Sequence, residues 1–168
     1  MEYIRDWELR DKFDLAEALN NKKIQDNLRD GLPLPYTESD AEMFIKAMLD
    51  APKDSQYAWT IIEGHKSIGS IGIFRKDNIH NRTAEMGYYI AEPYWGKGIV
   101  TNAVKEACAF VFEHTNIMRI FAEPFSENMA SRRVLEKAGF VHEGTLHQNA
   151  VKNGRVLDME MYGKWQSI

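Results

Sequence analysis

Apolar residues at 9, 13, 15, 16 and 19 recur at helical spacing and predict a first helix over Leu9 to Leu19. A proline-rich break follows at Gly31-Leu32-Pro33-Leu34-Pro35-Tyr36. Thr37, Ser39 and Asp40 are cap-type residues, and they open a second helix through Asp50 with Met43, Phe44, Ala47 and Met48 on its inner face. From Tyr57 the pattern changes to short β-like runs. Tyr57–Ile62 and Ser67–Phe74 read as a hairpin turned at Gly64-His65-Lys66. Thr83 to Ile90 is a third strand, ended by Glu92-Pro93 because proline supplies no ladder donor and restricts the residue before it. A long apolar helix is predicted from Ile99 to His114, a strand from Met118 to Ala122, and a helix from Asn128 to Ala138 closed by Gly139. Phe140–Leu146 and Val156–Tyr162 finish as strands. This order describes an α/β chain of mixed α+β kind, with helices packed on a mixed sheet. No repeat, linker or boundary divides it, so residues 1–168 are expected to form one domain.

Composition narrows the class. The net charge is −4 and no Lys/Arg block breaks the pattern, which argues against a nucleic-acid partner. The single cysteine, Cys108, sits in the apolar run Ala107–Phe110 and reads as a buried structural thiol. No apolar run approaches the ~18 residues of a membrane span, and Met1–Asp6 lacks a signal-peptide block. A soluble, cytoplasmic protein without a membrane partner is expected. The five histidines make no HExxH or Cys/His cluster, so no metal is expected. His142 and His147, five apart in a strand, are expected on opposite faces.

The most informative segment runs from the third strand into the long helix through Pro93-Tyr94-Trp95-Gly96-Lys97-Gly98-Ile99-Val100-Thr101. The first amides of a helix lack intrahelical partners and lie at the positive end of its dipole, so they form a ready anion site. Gly96 and Gly98 leave the backbone open to a bulky diphosphate, and Lys97 adds charge. On these glycines alone, a tight turn into a helix remains the alternative. Neither G-x-x-x-x-G-K-[ST] nor a third glycine at dinucleotide spacing is present, which excludes Walker-type and Rossmann fingerprints.

With its flanking residues, this turn resembles the pyrophosphate signature of the Gcn5-related N-acetyltransferase (GNAT) superfamily. Asn128-Met129-Ala130-Ser131-Arg132-Arg133-Val134-Leu135-Glu136-Lys137-Ala138-Gly139-Phe140 resembles its second signature, an Asn-led helix ending in Gly-Phe. Leu32–Thr37 with Asp40-Ala41-Glu42, and Gly139–Gly144, resemble the branch of Rim-type ribosomal-protein N-acetyltransferases. The resemblance implies a six- to seven-stranded, mostly antiparallel sheet with helices on both faces and a V-shaped splay between the central strands. It implies acetyl-CoA as co-substrate. The amides of Gly96, Lys97, Gly98, Ile99, Val100 and Thr101 would hold the pyrophosphate, with Trp95 bordering the turn. The edge of Tyr89-Ile90-Ala91 would pair with the pantetheine arm as an added strand, and Asn128 would meet the arm from the opposite wall. Asn128 is equally a preferred helix cap.

An amine acceptor must be neutral to attack. An α-amino group has a pKa of ~8 and a lysine ~10.4, so a base or water relay is expected. Glu85 shares a strand face with Gly87 and Tyr89. It is a candidate base through water, or else a structural ion-pair residue. Many relatives place a tyrosine seven residues after the Asn to meet the leaving thiolate, but this chain has Leu135 there. Rim-type relatives use a serine three residues after the Asn, which here is Ser131, a candidate to steady the thiolate or else a helix-surface serine. The base glutamate of some Rim-type members falls at Ala150, leaving Glu143 and Asp158 as further carboxylates. The expected activity is acetyl transfer to a primary amine, on a small molecule or a protein N-terminus, in a ternary complex. A homodimer through a sheet edge would suit the fold. The alternatives are a CoA-binding sensor of the same fold and a nucleotide-binding domain. Acceptor pockets in such proteins are built from segments corresponding to Asn20–Tyr36 and Leu146–Arg155.

Overall fold

A computed structural model describes residues 1–167. Strands β1 (Ile4–Arg5), β2 (Gln56–Glu63), β3 (Lys66–Arg75), β4 (Thr83–Ile90), β5 (Arg119–Ala122), β6 (Val141–Lys152) and β7 (Arg155–Trp165) form one sheet in the order β1-β2-β3-β4-β5-β7-β6. All neighbours are antiparallel except β4 and β5, which run parallel. The helices are α1 (Lys12–Leu19), α2 (Lys22–Gln25), α3 (Glu38–Asp50), α4 (Ile99–His114) and α5 (Met129–Lys137).

Two apolar clusters divide the helices between the sheet faces. Val100, Ala103, Val104, Ala107, Cys108 and Val111 of α4 follow helical periodicity and pack with Ile71, Ile73, Ile120 and Leu135. Trp7, Leu15, Leu19, Ala41 and Ile45 form the second cluster, and Tyr89 of β4 packs against it. Burial of Cys108 pushes its thiol up to about 12, so it stays a protonated core side chain.

Several expectations need correction. The predicted first helix is a 3-10 turn over Leu9–Asp11 followed by α1, and Leu9 and Phe13 are exposed. α3 begins at the expected cap, where Thr37 Oγ1 accepts from the Asp40 N–H at 3.3 Å and Asp40 Oδ2 accepts from the Thr37 N–H at 2.8 Å. Its inner face, however, is Ala41 and Ile45, with Phe44 and Met48 partly buried. Met43 and Ala47 point outward, because at 100° per residue they lie across the helix from Ala41 and Ile45. β6 extends six residues beyond Leu146, paired with β7 around an Asn153-Gly154 turn in which both residues have positive φ. His142 and His147 share a face. A bulge between His142 and Gly144 adds a residue to the count, so His142 reaches Glu160 and His147 reaches Asp158, two positions apart on β7.

Candidate active site

β4 remains paired with β3 from Ala84 to Ile90. With β5 it pairs only where Thr83, Ala84 and Glu85 face Arg119, Ile120 and Phe121. Beyond Glu85 the parallel strands part and leave a V-shaped slot. The N–H of Ala91 donates to Ile68 O at 2.8 Å, and the N–H of Lys76 donates to Thr83 O at 2.8 Å. Main-chain groups alternate along a strand, so odd-numbered residues of β4 are spent on β3 and even-numbered ones face the slot. The close approach at Gly69 agrees, since an added Cβ there would stand 2.3 Å from Tyr89 O. The edge expected at Tyr89-Ile90-Ala91 is therefore presented by the main chain of Tyr88 and Ile90. Tyr89 and Ala91 hold the strand to β3. Trp95 Nε1 donates to Ile90 O at 2.9 Å, which folds the half-exposed indole against the slot rim.

The glycine turn sits at the open end of the slot. Gly96 and Gly98 have φ of +74 and +78, a left-handed geometry that favours glycine, and each faces open space where a Cβ would stand. Gly98 is the N-cap of α4 and brings no capping side chain. The opening amides at Ile99, Val100 and Thr101 are thus without a side-chain partner. Lys97 Nζ lies 5.1 Å from the centre of the Tyr94 ring. This geometry fits a diphosphate: open backbone, uncapped donors and a nearby cation.

The opposite wall is the first turn of α5. Asn128 caps it, accepting from the Ser131 N–H through Oδ1 at 3.2 Å, and its Nδ2 makes no hydrogen bond among the described residues. Ser131 Oγ lies 2.7 Å from the Tyr88 phenol oxygen. Leu135 is fully buried in the core. The position that carries a tyrosine in many relatives therefore does not reach the slot here.

At the vertex of the slot Glu85 is ion-paired with Arg29, and Lys76 stands 3.9 Å away. The expected pairing of Glu85, Gly87 and Tyr89 on one face is realised, on the side of α1 and α3. The sequence reading missed Glu123. Because Glu85 faces Phe121 in the parallel register, Glu123 falls on the same face two residues further along. Burial raises its carboxyl above the usual range and the charge of Glu85 raises it further, against the pull of Arg29 and Lys76. It makes no ion pair among the described residues. The other carboxylates are committed elsewhere. Arg119 holds Glu143 with two bonds of 3.1 and 2.5 Å. Asp158 accepts from the Gln148 N–H at 2.7 Å and contacts His147 at 3.1 Å, and these bonds lower its carboxyl. Ala150 pairs with Leu157 near the β6–β7 tip. That tip meets the segment after α1, through Lys152 to Asp30 at 2.8 Å and Asn153 to Asp26 at 2.9 Å. The two segments expected to frame an acceptor are thus brought together, with Arg29 between them and the vertex.

The parallel pair β4–β5 thus opens toward an uncapped, glycine-flanked helix start, a geometry open to a long diphosphate-bearing molecule. Residues 3–141 match the family described as Acetyltransferase (GNAT) domain, and the chain belongs to that family, whose general reaction is acetyl transfer to an amine. It is 36% identical over 104 residues to "Probable N-acetyltransferase YjcK" of Bacillus subtilis, across 61% of this chain and 58% of that protein. The chain thus matches a little over half of that relative's length. "Uncharacterized N-acetyltransferase p20" of Bacillus licheniformis is 30% identical over 132 residues, 76% of this chain and 74% of that protein. The structure of Mycobacterium smegmatis RimJ in complex with CoA-disulfide superposes with a TM-score of 0.85 at 21% identity, covering 96% of this chain and 80% of that one. It shares the fold. Among the described residues no helix is long and apolar enough to cross a membrane.

Proposed function

We propose that residues 1–168 form one cytoplasmic acetyltransferase domain that transfers the acetyl group of acetyl-CoA directly to a primary amine. The observation that carries this reading is the parting of β4 from β5 after Glu85, in line with the uncapped start of α4. The amides from Gly96 to Thr101 bind the pyrophosphate. The slot-facing groups of Tyr88 and Ile90 pair with the pantetheine amides, and Asn128 Nδ2 donates from the far wall. This register sets the thioester near the vertex, between the carboxylates and Ser131.

The acceptor enters over the face of Glu85 and Glu123, between the segment after α1 and the β6–β7 tip. It sheds a proton before or during attack, because an ammonium has no lone pair. Glu123 is the candidate base, directly or through water, and Glu85 holds Arg29 and Lys76 beside it. The amine nitrogen bonds to the carbonyl carbon, the C–S bond breaks, and the sulfur leaves as a thiolate near Ser131. The acceptor is a peptide N-terminus or a small amine.

The test incubates the protein with acetyl-CoA and a panel of Ser-, Ala- and Met-initiated peptides, spermidine and an aminoglycoside, reading free-thiol release. Turnover of at least one amine is expected, together with a thermal shift by CoA and none by ATP. A CoA shift without turnover would leave a binding domain, and an ATP shift without a CoA shift would overturn the reading.

A further inference from the structure

One side-chain bond bridges the slot where the strand ladder is lost. Tyr88 lies on the splayed part of β4 and Ser131 in the first turn of α5, 43 residues apart in sequence. Their oxygens are 2.7 Å apart, and the phenol O–H is also within donating reach, 3.2 Å, of the Ser131 carbonyl oxygen, a longer contact that competes for the same hydrogen. Either hydroxyl can act as donor across the shorter contact, and the phenol is the stronger acid. With the phenol donating to Ser131 Oγ, the serine hydrogen is left free to rotate toward a third group. A donor that itself receives a hydrogen bond is polarised and strengthened.

We propose that Tyr88 is a positioning residue for departure of the thiolate: its phenol donates to Ser131 Oγ and so turns the serine hydrogen toward the leaving sulfur. Burial keeps the phenol protonated across the working range, so the donor is present at every pH where the reaction runs. No proton crosses this pair. As the C–N bond forms, the C–S electron pair stays on sulfur, the amine proton goes to the base at the vertex, and Ser131 retains its own hydrogen. The sulfur is thus met by Ser131, one turn before Leu135 on α5, with Tyr88 supporting the serine from the β4 wall.

The inference rests on the acetyl-transfer reading, so its test uses the coenzyme without an acceptor. Calorimetry compares CoA with desulfo-CoA, which lacks the sulfur, at pH 7 and pH 10. A hydrogen bond to the thiolate lowers the bound thiol's pKa, and each unit of lowering is a tenfold gain for the ionised form. The wild-type preference for CoA over desulfo-CoA is expected to rise about tenfold between the two pH values. In Tyr88→Phe it is expected to stay within about twofold, with desulfo-CoA affinity unchanged. Ser131→Ala is expected to give the same flat profile, and it serves if Tyr88→Phe does not fold. A wild-type-like rise in either variant, or equal weakening of both ligands in Tyr88→Phe, would overturn the inference. If the wild type binds neither ligand, the coenzyme reading fails first and takes this one with it.

Discussion

Gly98 has a φ of +78 and no atom within 4 Å of where a Cβ would stand. A side chain there meets no clash in the free protein, but it strains the backbone by ~1–2 kcal/mol and projects into the space assigned to the diphosphate. Gly98→Val is therefore expected to remain folded and to raise the KM for acetyl-CoA by about tenfold or more. An unchanged KM would place the diphosphate elsewhere. Glu123 carries the second prediction at this scale. In the proposed mechanism its ionised form is the base, and burial with the neighbouring Glu85 charge raises its carboxyl, so it protonates at a higher pH than an ordinary carboxylate. With the neutral amine binding and losing its proton to Glu123 as it attacks, kcat/KM is expected to fall with a slope of one as pH drops below the acceptor's own pKa. Below the Glu123 value the slope should steepen toward two, and Glu123→Gln should remove the steepening while lowering kcat by ~10²-fold. A Glu123→Gln profile that superimposes on wild type would return the role to another group. Glu123 was illegible in the sequence because a lone acid before Pro124 carries no pattern. Its place depends on the parallel register of two strands that start 36 residues apart. Arg29 over Glu85 and Tyr88 against Ser131 were hidden for the same reason.

At the scale of elements, the joint between β6, β7 and the approach to α5 depends on Glu160. This side chain is 5% exposed and accepts from His142 at 2.5 Å and Thr145 at 2.8 Å. Burial would raise its carboxyl, yet those bonds and the charge of Arg132 outweigh burial and hold it down to about 2. The unfolded value is ~4.3. A depressed folded value contributes stability that is present above the unfolded pKa and is lost as pH falls toward about 2. The melting temperature of the wild type should therefore fall steeply between about pH 4.3 and 2, and that of Glu160→Gln should fall less over the same range. Equal slopes in a thermal-melt series would show that Glu160 adds nothing. Elements with a strong period were readable directly. Thr83–Ile90 and Ile99–His114 are observed at the residues expected, because alternation and the 3.6 repeat each have a buried face to satisfy. The two-residue β1 and the four-residue α2 are too short to carry a period. The outer half of β6 was missed because His147-Gln148-Asn149 is polar and bulged, with Gln148 at a φ of 53, so alternation fails where the strand continues.

For the whole molecule, chemistry is assigned to the place where the two central strands of the sheet, β4 and β5, stop pairing. Among the described residues six strand contacts are made, five of them antiparallel, and the parallel one between the central strands β4 and β5 gives out after three residue pairs. The slot, the glycine turn at its open end and the carboxylates at its vertex follow from that topology. The turn and the Asn-led helix were legible as short motifs, while the slot that joins them depends on strands separated by the whole of α4. Co-crystallisation with acetyl-CoA tests this most directly. The diphosphate is expected against the amides of residues 96 to 101, the pantetheine along Tyr88 and Ile90, and the thioester within reach of Glu123 and Ser131. Coenzyme density lying outside the β4–β5 opening, or a slot that excludes the arm at saturating ligand, would contradict the account.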